Sequence, residues 1–174
     1  MNTREIAAVL SNVPFTKSSF QGVFPSDRLP DHIDRYPAAL VANVDVHSKP
    51  GSHWCAFFID ENHQGQFFDS YGQEPQQYCM DFKIFLDKNC KQWTYNSQVL
   101  QSLGSDVCGH YCLYFIINRC QNISLKSIVS RFTKNTRNND HFVYRFIVKH
   151  FGYIINRVKY IVNLQTSKPN KKHI

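Results

Sequence analysis

Long apolar runs are missing from this 174-residue chain. None approaches the roughly 18 residues that a membrane-spanning helix needs, so a transmembrane-helix protein is excluded. Glycine is scarce, at 7 residues, and no glycine-rich phosphate cradle occurs. The two-histidine helix motif of zinc proteases is absent, and no serine sits in a nucleophile elbow. There is no internal repeat and no low-complexity segment. An export signal is lacking too: the apolar run within Met1–Leu10 is short and has Glu5 in front of it. The six cysteines are therefore expected as thiols in an intracellular protein, and the sequon Asn122-Ile-Ser124 as unglycosylated.

What is present fits one globular domain. Hydrophobic residues make up 43% and charged residues 19%, and 14 Phe and 9 Tyr supply large core side chains. Residues 1–164 are expected as a single domain and 165–174 as a basic tail, in a monomer with no membrane contact. The net charge of +7 is uneven. Residues 1–130 balance to −2, whereas 131–174 carry ten Lys and Arg against the single acid Asp140. Such a block is a footprint for polyanions, nucleic acid above all, with Arg131, Lys134, Arg137, Arg145, Lys149, Arg157 and Lys159 as candidate contacts. The Lys168–Lys172 segment alone reads as a solvated tail.

Asn2 and Glu5 have capping-box spacing at the head of a short helix. Residues 14–30 read as an irregular connection. Leu40–Val46, Trp54–Ile59 and Gln66–Tyr71 read as strands, the last two joined by a hairpin loop over Asp60–Gly65. Glu74–Leu86 reads as a helix with Pro75 in its first turn, and Trp93–Leu100 as another strand. Val107–Arg119 is apolar nearly all round and reads as a buried central helix. Ser124–Phe132 and Asp140–Phe151 read as two more. The order predicts an α+β fold, a mixed β-sheet packed against that central helix.

Three features carry candidate chemistry. Cys108 opens the central helix after a Gly-Ser-Asp loop, where the helix dipole favours thiolate, and Gly109 behind it permits close approach. A buried structural cysteine is the bland alternative. His53 and Asp69 have the same parity on neighbouring strands, and an Asp beside a His fixes its tautomer and supports its protonated form. A tight loop over 61–65 would instead set Asp69 opposite Phe57, leaving His53 a turn residue. Gln101, seven residues before Cys108, offers an amide donor for an oxyanion, though Gln98 and Gln92 compete by composition. Cys108, His110 and Cys112, or His53 with Cys55, contain metal-ligand types without paired zinc-knuckle spacing, and no metal or small-molecule cofactor is expected.

Taken in order, Gly51-Ser-His-Trp-Cys-Ala-Phe57, Phe67-Phe-Asp-Ser-Tyr-Gly72 and Gln101-Ser-Leu-Gly-Ser-Asp-Val-Cys-Gly109 resemble the adenovirus-type cysteine proteases, or adenains, including those of Polinton-like elements. Gly22-Val-Phe-Pro-Ser-Asp27 and Tyr144-Arg-Phe146 with His150 extend the likeness over roughly residues 20–155. The resemblance implies Cys108 as nucleophile, His53 as base, Asp69 as orienting acid and Gln101 as oxyanion donor, with Trp54 and Gly109 in support. It implies Cys90 as a disulfide partner for a short activating peptide, DNA as a second cofactor, viral precursor polypeptides cut near Gly as substrates, and work in the virion and host nucleus. The acid is Asp where adenovirus enzymes have Glu. Asp is also what proteases of ubiquitin-like proteins use, so these remain an alternative, as does a non-catalytic DNA-binding protein.

Overall fold

The computed structural model describes residues 1–166, with side chains as far as Val162. The chain begins with helix α1 (Thr3–Asn12), capped as its spacing predicts. Asn2 Oδ1 accepts from the Glu5 N–H at 3.0 Å, and the Glu5 carboxylate accepts from the Asn2 N–H at 2.9 Å. After the short α2 (Pro14–Lys17) comes strand β1 (Phe20–Pro25). Sequence periodicity gave no strand there. The segment is half-buried throughout and interrupted by Gly22, at φ +147°, and by Pro25 at its end; an edge strand tolerates both.

Strands β2 (Ala38–Asn43), β3 (Trp54–Ile59), β4 (Gln64–Phe68) and β5 (Gln92–Tyr95) complete a five-stranded sheet in the order β1-β2-β3-β4-β5. The inner pairs β2–β3 and β3–β4 are antiparallel, and the outer pairs β1–β2 and β4–β5 are parallel. The expected strand at Leu40–Val46 starts two residues earlier. The one at Trp93–Leu100 stops at Tyr95, beyond which Asn96 bonds to Asp69 instead of continuing a ladder.

Alternation sorts the two faces. Ala39, Val41, Ala56, Phe58 and Phe68 face helix α5 (Cys108–Arg119), which is buried over nearly its whole length. Phe115 stacks on Phe68 with ring centres 4.6 Å apart. Leu40, Phe57, Ile59 and Phe67 face the other way, onto Phe82, Phe85 and Leu86 of α4 (Met80–Asn89). Each fully buried Phe or Leu removes enough apolar surface to contribute about 2 kcal/mol. The helix expected over Glu74–Leu86 is two, because Cys79 is extended (φ −159°) between α3 (Pro75–Tyr78) and α4.

Helix α6 (Leu125–Val129) leads to α7 (Thr136–Thr166), 31 residues long, where Asp140–Phe151 was expected. Gly152 does not end it, since Ile154 and Ile155 prolong the apolar stripe of Val143 and Ile147 into the core shared with α1 and α5. The helix thus overruns the expected boundary at 164, and the rest of the expected tail, 167–174, lies outside the described residues.

Candidate active site

The hairpin register decides whether His53 can meet Asp69. Asp60 Oδ1 accepts from the Asn62 and Gln64 N–H groups, and His63 takes the left-handed conformation (φ 62°) that closes the loop. Strand β4 therefore starts at Gln64, and Phe57 faces Phe67. By extension Asp69 lies opposite Cys55, with His53 its diagonal neighbour on the same face. The pairing of Asp69 with Phe57 that a loop over 61–65 would give is corrected by two residues, which keeps the face. Gly65, expected in the loop, is in the strand, at a position where a Cβ would collide with Cys90 Sγ.

His53 Nε2 meets Asp69 Oδ1 at 2.6 Å, with His53 7% and Asp69 0% exposed. The other carboxylate oxygen accepts from the Gln73 N–H and the Tyr78 hydroxyl, both at 2.9 Å. Asn96 clamps the Asp69 backbone, its Oδ1 accepting from the Asp69 N–H and its Nδ2 donating to the Asp69 carbonyl. The rings of Tyr71 and Tyr78 lie 4.9 and 5.4 Å from the imidazole. With Nε2 committed to Asp69, Nδ1 is the nitrogen left to interact with the Cys108 side chain.

The electrostatics favour an ion pair. Burial is the largest influence on His53 and disfavours its charge, but the hydrogen bonds to Asp69 and Cys108 outweigh it and raise the imidazole from 6.5 to about 9. Burial likewise pushes the Cys108 thiol up. Against it act the hydrogen bond and charge of His53 and the backbone N–H groups of Trp54 and Gly109, and the thiol ends below its ordinary value. Cys55, Cys79, Cys90, Cys112 and Cys120 all move the other way, with burial the main cause. Cys108 alone of the six is thus shifted toward the thiolate form.

Helix α5 presents Cys108 in its first turn, where backbone N–H groups have no intrahelical partner. Cys112 Sγ donates to the Trp54 carbonyl at 3.3 Å and pins this helix to β3. Met1 packs over Gly109 and accepts from Trp54 Nε1 at 3.2 Å.

Gln101 is 1% exposed, whereas Gln92 and Gln98 are exposed. Its Oε1 accepts from Ser70 Oγ at 2.6 Å and its Nε2 donates to the Ser105 carbonyl at 2.7 Å, three residues before Cys108. One amide hydrogen stays uncommitted in these contacts. Ser70, Gln73, Tyr78 and Asn96 escaped the sequence reading. Tyr78 was visible only as part of a helical stripe, and the others carried no signal.

The metal-ligand combinations separate. His110 packs at a tilt against Tyr144 and is pushed down to about 4, chiefly by burial, while Cys112 bonds to β3, so they do not converge with Cys108. Among the described residues the group with donor atoms close enough for a metal is His53, Cys55 and Asp69, within 4.8 Å of one another. Its imidazole and carboxylate already bond each other.

Cys90 caps α4 at the end of β4 opposite Asp69, and burial first of all pushes its thiol up to about 12. Of the candidate basic contacts, Arg131 is tied to Tyr114 and Asn118 of α5 at 3.0 and 2.9 Å, and Lys159 lies 3.7 Å from Glu5. Arg137, Arg145 and Lys149, with His141, recur every four residues along α7 and are exposed.

No protein-family model matches the chain. It is 34% identical over 112 residues to a candidate thiol protease of Acanthamoeba polyphaga mimivirus, covering 60% of this chain and 36% of that protein. In structure it is similar to the ASFV pS273R protease, with a TM-score of 0.54 at 19% identity over 80% of this chain and 63% of the other. It is also similar to the central domain of the uncharacterized Legionella pneumophila protein Lpg1148, with a TM-score of 0.50 at 11% identity over 88% and 98% of the two chains. The α+β fold is therefore similar to that of the ASFV pS273R protease. The resemblance to adenain-type cysteine proteases read from the motifs agrees with a viral relative in sequence and a viral protease in structure. The chain spans little more than a third of the length of the mimivirus protein.

Proposed function

We propose that the chain is a cysteine endopeptidase. The observation that carries this reading is the convergence of Cys108, His53 and Asp69 at the end of the sheet, with one thiol of six lowered and its imidazole partner raised. In this reading the Cys108 thiolate attacks the substrate carbonyl carbon. The developing oxyanion takes hydrogen bonds from the Cys108 N–H and the Gln101 amide. Imidazolium His53 gives its Nδ1 proton to the leaving amine as the C–N bond breaks. A water, deprotonated by the now neutral His53, attacks the thioester, and the thiolate leaves as the acid product forms. Asp69 holds the ring and the tautomer throughout.

The test is pH-resolved iodoacetamide labelling of each cysteine by mass spectrometry. Cys108 labels fast below the ordinary thiol range of about 8.5, and His53→Ala removes that advantage. Labelling of Cys108 no faster than Cys55 or Cys112 overturns the reading.

The narrower reading follows the family pattern. Substrates are viral precursor polypeptides cut near small residues or Gly during particle maturation, in the virion and host nucleus, by a monomer stimulated by DNA. The stripe of Arg137, Arg145 and Lys149 supports the DNA part: twelve residues of helix run about 18 Å, a length that follows several phosphates. Replacing all three by Gln should make the slope of log affinity against log salt shallower by about 3. An unchanged slope removes α7 from the DNA reading. A disulfide-linked activating peptide at Cys90 is the weaker part, because a thiol at about 12 exchanges slowly until it is uncovered.

A further inference from the structure

Ser70 has no counterpart in the roles assigned above, yet it makes three contacts with one short segment. Its hydroxyl donates to Gln101 Oε1 at 2.6 Å, and its carbonyl accepts from the N–H groups of Leu100 and Gln101 at 2.8 and 3.0 Å. Both residues are buried, at 1% exposure each. An amide side chain has two nearly equivalent orientations, and only the one with nitrogen toward the nucleophile can donate to an oxyanion. A hydroxyl has a single hydrogen and gives it here to Oε1. The Ser105 carbonyl can only accept and takes one hydrogen of Nε2 at 2.7 Å. Turning the amide over would set Oε1 against that carbonyl, so Ser105 selects the face of the amide, while the Ser70 hydroxyl anchors its oxygen and holds the side chain in place.

We infer that Ser70 is a positioning residue that, together with the Ser105 carbonyl, holds Gln101 with Nε2 presented as an oxyanion donor. Ser70 adjoins Asp69, so two successive residues at the end of β4 hold the two halves of the machinery. Asp69 orients the base and Ser70 orients the oxyanion donor. Asn96, by clamping the Asp69 backbone on both its N–H and its carbonyl, steadies the segment that carries both. The inference rests on the reading of Cys108 and Gln101 as nucleophile and oxyanion donor.

Two reactions of Cys108 separate this role from a merely structural one. Alkylation by iodoacetamide displaces iodide from a saturated carbon, forms no oxyanion and needs only the thiolate. Acylation by N-acetyl-glycyl-glycine 4-nitrophenyl ester passes through a tetrahedral oxyanion and releases nitrophenolate. In Ser70→Ala the acylation rate constant should fall about 10- to 100-fold, at the low end of the loss for deleting a donor outright. The alkylation rate and its pH profile should stay within about twofold of wild type. In a Gln101→Ala background the further loss from Ser70→Ala should vanish, because the two act as one unit. A parallel fall of both reactions in Ser70→Ala overturns the inference in favour of a structural role, as does acylation at the wild-type rate or full additivity with Gln101→Ala. A wild-type chain inert to both reagents overturns the protease reading itself, and the role of Ser70 with it.

Discussion

Replacing Asp69 by Asn tests the electrostatic logic of the site most directly, because the side chain keeps its shape and loses its charge. Oδ2 of Asp69 accepts two hydrogen bonds, from the Gln73 N–H and the Tyr78 hydroxyl, while Oδ1 faces His53 Nε2. In the Asn variant those two donors retain the carbonyl oxygen, so the NH2 group is turned toward His53. An NH2 facing Nε2 demands that Nε2 accept, which moves the ring hydrogen to Nδ1 and disfavours the imidazolium. In the native chain the net rise of His53 from 6.5 to about 9, achieved against burial, is worth about 3 kcal/mol in favour of the charged ring. The sign follows: the thiolate–imidazolium pair exists above the lowered Cys108 value and below about 9. At pH 7.5 about 97% of His53 is protonated at a pKa near 9, against about 9% at 6.5. With burial retained and the carboxylate gone, only Cys108 still holds the ring up, and it falls from about 9 toward that level, with a loss of ion pair of up to about tenfold. Loss of the productive tautomer adds to it, and we expect peptide or ester hydrolysis to fall about 10²- to 10⁴-fold. The assay is the pH dependence of hydrolysis and of Cys108 alkylation from pH 5 to 10. The alkaline limb should lie near 9 in wild type and disappear from that region in Asp69→Asn. An alkaline limb unmoved in the variant, with alkylation unchanged at pH 7.5, would refute the reasoning.

Two further outcomes are expected. Gly65→Ala should destabilise the chain by about 1–3 kcal/mol, because the added Cβ meets Cys90 Sγ at 2.3 Å and Trp93 Cβ at 3.0 Å. Thermal unfolding should show Cys90→Ala recovering part of that loss in the double variant, and a variant as stable as wild type would contradict the packing. In a labelling time course at pH 7.5, Cys90 should react far more slowly than Cys108, since one thiol stands at about 12 and the other below its ordinary value. Comparable rates would mean that the α4–β5 corner opens readily.

Much of the fold was legible because the chain marks its elements by local chemistry. The Asn2 and Glu5 cap, the Trp54–Ile59 strand and the Cys108–Arg119 helix lie where patterning puts them, since each is decided by near neighbours and by burial on one or two faces. Strand β1 was not legible, because an edge strand holding Gly22 and Pro25 owes its existence to pairing with β2, 18 or 19 residues away. The far half of α7 was hidden for a related reason. Tyr153, Arg157 and Tyr160 are exposed, and only docking on α1 and α5 shows which of its apolar residues form the buried stripe.

The site divides along the same line. Cys108, His53 and Gln101 were visible as residue types at telling spacings, but their contact depended on the hairpin. A loop starting one residue later would have set Asp69 opposite Phe57, away from His53, and the Asp60 side chain and the left-handed His63 mark the register observed. Ser70 and Asn96 were invisible because a single hydroxyl or amide acquires meaning only from the atom it faces. Once placed, they explain why the run from Phe67 to Ser70 tolerates so little freedom. Its apolar members anchor the strand on both faces of the sheet, and its two polar members deliver a carboxylate to His53 and a hydroxyl to Gln101. A one-residue slip of this strand would exchange the two faces and separate both pairs at once. The register of β4 is therefore the feature that brings Asp69 to His53 and Ser70 to Gln101.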